Sequence, residues 1–492
     1  MNANGKKTPR ATAPHRTSSG AGPQAARPRE RVARVDSAEA LQPGDTIVVT
    51  IKRLGINGEG IGYFKRKAVF VNGALPGEVV RVRVKANEGN RLVAETVRTE
   101  KRSERRVSPP CPLYGPCGGC QLQHAEYAAQ LLWKEELIRE AFARYAGVDD
   151  LPLRPMIGMD HPWAYRNKAQ LMVGGTPGRV TLGLYRSGTR RLVDLASCPV
   201  QHPALNEAAE RIRTVVNRLR IPPYDPVRRT GVLRAVVLRV AFATGRLQVT
   251  YVTTQEHFPA RERLVRETRQ ALPNVAGIAQ SVHDGRSHEV FGETVRTLWG
   301  DPFLEEKLGE VPYELSPRAF FQLNPAQAIR LYDTVKEAAA LTGKETVLDL
   351  YCGAGTISLW LAPYAREVIG VESVPEAVED ARRNAALAGR SNVRFECARA
   401  EEALPRWARQ GMRPDVIVAD PPRTGLGKPL IDAIAKVRPA RFVYVSCNPA
   451  TLAKDTRLLL EAGYRLEWAQ PVDMFPQTSH VESVILMVRK GA

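Results

Sequence analysis

The sequence predicts an α/β fold for the carboxyl-terminal part of the chain, built as a doubly wound sheet. Three observations carry that prediction. From about residue 325, short β-branched runs alternate with helical stretches. A turn holding Gly353 and Gly355 joins the first of these strands to the next helix. Polar and reactive residues fall where the strands end. Strands alternating with helices of this length form a sheet covered on both faces. Ligands of such sheets bind beyond the carboxyl ends of the strands. A small β-barrel and a mixed α+β segment precede this part, dividing the chain at 1–40, 41–100, 101–315 and 316–492.

Residues 1–40 are polar, and Lys6, Lys7, Arg10, Arg16, Arg27, Arg29, Arg31 and Arg34 outnumber Glu30, Asp36 and Glu39. The stretch reads as a disordered basic tail that touches phosphates without specificity. It lacks the apolar centre of a signal peptide. No run approaches the ~18 apolar residues of a membrane span. The chain is therefore expected in the cytoplasm, away from membranes. The net charge of +19 serves solubility in its bland reading, but a surplus of this size points to a polyanion, with nucleic acid the leading candidate.

Runs at 46–51, 67–71, 78–84 and 91–97 predict short strands. Gly55, Gly58, Gly60, Gly62, Gly73, Pro76 and Gly77 punctuate them. Closely spaced short strands suggest a barrel, and the alternation of Val with Arg and Lys gives it one basic face suited to irregular RNA. Next, Cys111, Cys117 and Cys120 cluster, with Cys198 downstream. Seven cysteines in a reducing compartment point to metal or catalysis rather than disulfides. Four thiolates suit either structural zinc or an iron–sulfur cluster, and composition does not separate the two. A helix is predicted over 128–145 and paired strands over 232–253, with the turn near Thr244-Gly245. The rest of 126–290 carries no readable fold.

In the α/β part, helices are expected over 326–340, 356–364, 376–388, 429–436 and 451–462. Strands are expected over 346–350, 368–371, 393–395, 416–419, 442–445 and 483–488. Asp349-Leu350-Tyr351-Cys352-Gly353-Ala354-Gly355 lacks the lysine of a P-loop and the third glycine of a dinucleotide fingerprint. It has the shape of an S-adenosylmethionine-binding turn. Glu372 ends the following strand, where a carboxylate accepts ribose hydroxyls; its bland alternative is an acid at a helix start. Asp420-Pro421-Pro422-Arg423 ends a later strand, and Arg423 replaces the aromatic residue of the loop that methylates exocyclic amines. Ser446-Cys447-Asn448-Pro449 ends the next one. A lone cysteine is usually a core residue, but a strand end places Cys447 at the ligand edge. A thiolate adding to carbon 6 of uracil makes carbon 5 nucleophilic. Glu482, with His480 as competitor, is the candidate base for the carbon 5 proton.

Together, Phe321-Gln322-Leu323-Asn324-Pro325, the glycine turn, Asp420-Pro421-Pro422-Arg423, Ser446-Cys447-Asn448-Pro449 and His480-Val481-Glu482 resemble the RNA 5-methyluridine (uracil-5-)methyltransferases. Residues 71–78, within 55–78, look like the TRAM barrel of the family's 23S ribosomal RNA branch. The resemblance implies a Rossmann-like methyltransferase domain, with Cys447 as nucleophile and Glu482 as proton acceptor. It implies S-adenosylmethionine contacts from Gln322, Tyr351, Glu372 and Asp420. From Cys117-Gly118-Gly119-Cys120-Gln121-Leu122-Gln123-His124 it implies a [4Fe-4S] cluster on Cys111, Cys117, Cys120 and Cys198. The implied partner is RNA, foremost 23S rRNA, with no obligate protein partner. A transfer RNA enzyme of the same chemistry and a non-catalytic RNA-binding assembly factor are the alternatives. Family members often carry an acid beyond the strand at 393–395; here Arg399 falls there, so no residue is assigned to the adenine.

Overall fold

The computed structural model describes residues 38–287 and 289–491. The expected tail lies, up to position 37, outside the described residues. Five strands close a barrel in the order β1-β2-β3-β5-β4: β1 (Thr46–Leu54), β2 (Gly60–Phe64), β3 (Lys67–Val71), β4 (Val79–Asn87) and β5 (Arg91–Lys101). Strand β4 buries Val80, Val82 and Val84 and turns Arg81 and Arg83 outward, the period of two expected of a half-buried strand. Strand β2 is one the sequence did not predict. Its glycines are sterically required: a Cβ on Gly60 would stand 2.6 Å from the Ala74 carbonyl, and one on Gly62 would strike Val49.

Helix α1 (Tyr127–Ala141) runs into a π turn over Phe142–Ala146, closed by Gly147 at φ 69°. A seven-stranded sheet follows in the central region. It comprises β6 (Lys168–Thr176), β7 (Arg179–Tyr185), β8 (Leu192–Asp194), then after α2 (Pro203–Arg218) β9 (Leu233–Val240) and β10 (Leu247–Thr253), and after α3 (Arg261–Ala271) β11 (Val275–Val282) and β12 (Thr294–Gly300). The order is β12-β11-β10-β9-β6-β7-β8. Leu205, Ile212 and Val216 of α2 and Leu264 of α3 share a core with Leu171, Leu238 and Val249 of the sheet. The hairpin β13 (Leu304–Leu308) and β14 (Val311–Leu315) leads to the last part.

That part has the predicted doubly wound architecture. Its elements are α4 (Pro325–Ala339), β15 (Thr346–Leu350), α5 (Thr356–Leu361), β16 (Glu367–Glu372), α6 (Pro375–Leu387), β17 (Val393–Cys397), α7 (Ala400–Arg409), β18 (Val416–Ala419), α8 (Lys428–Val437), β19 (Arg441–Ser446), α9 (Pro449–Glu461), β20 (Tyr464–Val472) and β21 (Glu482–Arg489). The strand order is β17-β16-β15-β18-β19-β21-β20. The first five strands are mutually parallel, and β21 runs antiparallel to both β19 and β20. Strands buried on both faces read as apolar runs, as Thr346–Leu350 and Val416–Ala419 do. One face of the sheet is packed by α4, α5 and α6. The other is packed by α7, α8 and α9, and there Ile138, Phe142 and Leu151 from far upstream join the same core. Among the described residues no helix is long and apolar enough to cross a membrane.

Candidate active site

The parallel strands all end at one edge, and the reversed strand β21 begins at that same edge. This single reversal brings Glu482, the first residue of β21, opposite Cys447, the first residue beyond β19. Gln322, Tyr351, Glu372, Asp420, Cys447 and Glu482 line one cleft of about 690 Å³. The structure thus brings together all six residues singled out there from sequence. His480 is absent from the lining: its ring lies 3.3 Å from the Arg423 guanidinium, and burial, with Arg423 adding, pushes it down to about 4. A neutral imidazole facing a cation is poorly placed to collect a proton.

The turn after β15 shapes one end of the cleft. Gly353, at φ 54°, has no atom within 4 Å of where a Cβ would stand, so its backbone lies open to the cleft. Gly355, at φ 80°, packs where a Cβ would come 2.9 Å from Phe395. The Gly353 amide donates to Glu372 Oε2 at 3.2 Å, and the amides of Ser373 and Val374 donate to Oε1 at 2.7 and 2.9 Å. The carboxylate of Glu372 is therefore fixed from two sides. Gln322 is held through its backbone, since Asn167 Nδ2 donates to its carbonyl at 3.0 Å and the Asn167 amide donates to the Leu323 carbonyl at 3.0 Å.

Sequence reasoning missed Glu401. It lines the cleft and accepts a 2.7 Å hydrogen bond from the Tyr351 hydroxyl. Arg399, the residue read as replacing the usual acid, lines the cleft beside it. The usable signal was helix α7, whose first turn carries Glu401. Phe320, 65% exposed, lines both this cleft and the cysteine cavity described below.

The reactive end is acidic and enclosed. Burial, reinforced by the Asp420 charge, raises the Glu482 carboxyl well above the usual range. Burial pushes Asp420 up to about 7, with Asp349 adding to it. Burial also pushes the Cys447 thiol up to about 11; the charges of Glu482 and Asp420 raise it further, while Arg423 acts in the opposite sense. A carboxyl raised in this way must first lose its own proton before it can act as a base, and the Arg423 charge favours that ionised form. The arrangement therefore offers a thiol and a carboxyl in the same cleft as the glycine turn and Glu372.

Cys111, Cys117, Cys120 and Cys198 line a separate cavity of about 300 Å³. The expected metal centre is not present as a gathered ligand set: among the described residues no three His, Cys, Asp or Glu side chains converge on a position for an ion. The four thiols stand around the cavity wall instead. Burial raises Cys117 and Cys198 and pushes Cys120 up to about 12, and charges on neighbouring thiols add to the rise. Four thiolates there would need a cation to offset them, as metal binding provides.

The family model described as tRNA (Uracil-5-)-methyltransferase matches residues 301–490. An uncharacterised RNA methyltransferase of Halalkalibacterium halodurans is 51% identical over 453 residues, spanning 92% of this chain and 98% of its own length. The chain belongs to the RNA uracil-5-methyltransferase family. Residues 40–97 of this methyltransferase match the TRAM domain, which is the five-stranded barrel. An uncharacterised RNA methyltransferase of Listeria monocytogenes is 43% identical across 92% of this chain and 98% of its own. The solved structure of the Pyrococcus abyssi tRNA (uracil-54, C5)-methyltransferase, in complex with S-adenosyl-L-homocysteine, aligns with a TM-score of 0.72 and 30% identity. That alignment spans 90% of this chain and 100% of the other. The methyltransferase acts on RNA and depends on S-adenosylmethionine.

Proposed function

We propose that this methyltransferase modifies carbon 5 of a uridine in structured RNA, through a covalent bond to Cys447. The observation that carries the reading is the placement of Cys447 and Glu482 together in the cleft that also holds Tyr351, Glu372 and Asp420. S-adenosylmethionine, when bound, supplies an electrophilic methyl group. Gln322, Tyr351, Glu372 and Asp420 would hold it, with Glu372 placed to accept from the ribose hydroxyls. Cys447 gives its proton to solvent, its thiolate sulfur bonds to carbon 6 of the uracil ring, and the electron pair of the 5,6 double bond moves onto carbon 5 and the carbonyl at carbon 4. Carbon 5 becomes nucleophilic and gains the methyl. Glu482 removes the carbon 5 proton, and the electron pair re-forms the 5,6 double bond as the sulfur leaves. Arg423 stabilises the thiolate during this cycle, opposing the two acids that raise it.

The four-cysteine cavity would hold a [4Fe-4S] cluster. Cys111, Cys117, Cys120 and Cys198 would ligate its irons through their thiolates. An anaerobically purified sample should absorb near 400 nm; a colourless protein carrying zinc would overturn that assignment. Ribosomal 23S RNA in the cytoplasm is the first substrate to test. Transfer RNA is the second, because the Pyrococcus transfer RNA methyltransferase aligns along nearly all of this chain; the barrel therefore does not discriminate between them. Mapping 5-methyluridine in cellular RNA with and without the protein decides between the two. Cys447→Ala should abolish methyl transfer and leave RNA binding intact, and RNA carrying 5-fluorouridine should be trapped on Cys447. Undiminished turnover by Cys447→Ala would remove the mechanism.

A further inference from the structure

A second groove, of about 610 Å³, runs between the barrel and the end of α1. Its barrel wall carries Arg53, Tyr63 and Phe70, and its other wall carries Arg144 and Tyr145 of the π turn. It reaches Pro449 and Ala450, at the start of the helix that follows Cys447, so its end is joined to the cleft's cysteine by two residues of chain. An ion pair from Arg53 to Glu140 at 2.9 Å ties the two walls together and sets their spacing.

The groove's chemistry is that of a strand of nucleotides. Tyr63 is 49% exposed and Ile56, beside it, 46%. Cations already stand against the aromatic rings: Arg91 is 5.3 Å from the Phe70 ring centre, and Arg144 and Lys454 are 5.2 and 5.1 Å from that of Tyr145. Arg53, Arg91, Arg144 and Lys454 outnumber Glu59 and Glu140 around the groove. Aromatic faces interleaved with cations accept stacked bases and the phosphates between them. An amphipathic protein helix would need a continuous apolar floor instead. Phe142–Ala146 forms a π turn rather than the last turn of a regular helix, and such turns often mark functional sites.

We infer that this groove binds the single-stranded nucleotides flanking the target uridine, stacking bases on Tyr63 and Tyr145 and placing phosphates against Arg144 and Lys454. The inference rests on the reading that the cleft receives a nucleotide of RNA. Once the target base has turned into the cleft, its neighbours lie along the groove, which offsets part of the cost of unstacking.

The test uses the full chain and a short oligouridine carrying 4-thiouridine. Irradiation should attach it to peptides containing Tyr63 and Tyr145. Tyr63→Ala, and separately Arg144→Glu with Lys454→Glu, should weaken oligouridine binding about tenfold each. Thermal midpoint and S-adenosylmethionine binding should stay unchanged, which separates the effect from misfolding. Cross-links confined to other surfaces, or wild-type binding by both variants, overturn the inference. Equal affinity for an abasic oligomer of the same length overturns the stacking, and loss of a protein partner without loss of RNA binding assigns the groove to that partner instead. Nucleoside analysis of the methylated product reads the cleft chemistry separately. A methyl group found away from carbon 5, with the binding losses intact, would leave the groove standing and remove the uracil reading alone.

Discussion

Tyr351 holds a backbone φ of 66°, unusual for a residue with a Cβ, at a cost of roughly 1 kcal/mol or more. The Cys352 amide donates to the Val371 carbonyl at 3.0 Å, and the Tyr351 hydroxyl reaches Glu401, so the conformation is fixed from both ends. Six site residues were legible because their chemistry is conspicuous where a strand ends. Glu401 was not, because its helix was unrecognised and Arg399 stood nearer the expected position. Asp349 gives a prediction at this scale. It is fully buried, its Oδ2 accepts from Ser358 Oγ at 2.5 Å, and among the described residues its Oδ1 has no hydrogen-bond partner. Burial pushes it up to about 7 from an ordinary 3.8. The folded state thus binds this proton more tightly than the unfolded chain does. Stability from this group is fully present below about pH 4 and is lost as pH rises through about 7, by a few kcal/mol. Thermal midpoints of Asp349→Asn should therefore gain on the wild type between pH 5 and pH 8. Parallel pH dependence of the two proteins would refute the assignment.

Elements were legible where local pattern and tertiary role agree. The run Thr346–Leu350 matches its predicted strand residue for residue. Strand β2, Gly-Ile-Gly-Tyr-Phe, was not legible because its glycines answer to neighbours outside the strand. Helix α7 carries Pro405 in its interior, a residue that ordinarily argues against helix, and its stability comes from the packing of Ala403, Leu404 and Trp407. Strand β20 has a bulge between Leu466 and Trp468 that breaks the period of two. The segment between β20 and β21 leads directly into Glu482. Lys134 of α1 and Asp473 are both fully buried and pair at 2.6 Å; Tyr127 also donates to Asp473, at 2.8 Å. Removing one member of such a pair leaves a buried charge, at a cost of about 3–5 kcal/mol. Lys134→Met should lower the thermal midpoint sharply, and adding Asp473→Asn should recover much of the loss. A single variant as stable as the wild type would mean that the pair contributes nothing.

At the scale of the whole molecule, the +19 charge predicts RNA binding that weakens steeply with salt. A slope of log affinity against log salt on the order of −5 or steeper is expected. A chain lacking residues 1–37 should bind RNA of any sequence more weakly and with a shallower slope; an unchanged slope would show that those residues touch no phosphates. The charge was legible from composition, whereas the central sheet was not: β6 pairs with β9 across more than fifty intervening residues, and no local pattern encodes such a pairing. The segment before Glu482 shows what that long-range architecture entails. The amides of Gln121 and Leu122 donate to the Gln477 carbonyl, Tyr165 donates to the Pro476 carbonyl, and Ser479 donates to the Ile56 carbonyl in the barrel. The seat of this carboxylate is thereby fixed from the barrel and the central region, so loosening either part should displace Glu482 while the parallel strands stay intact.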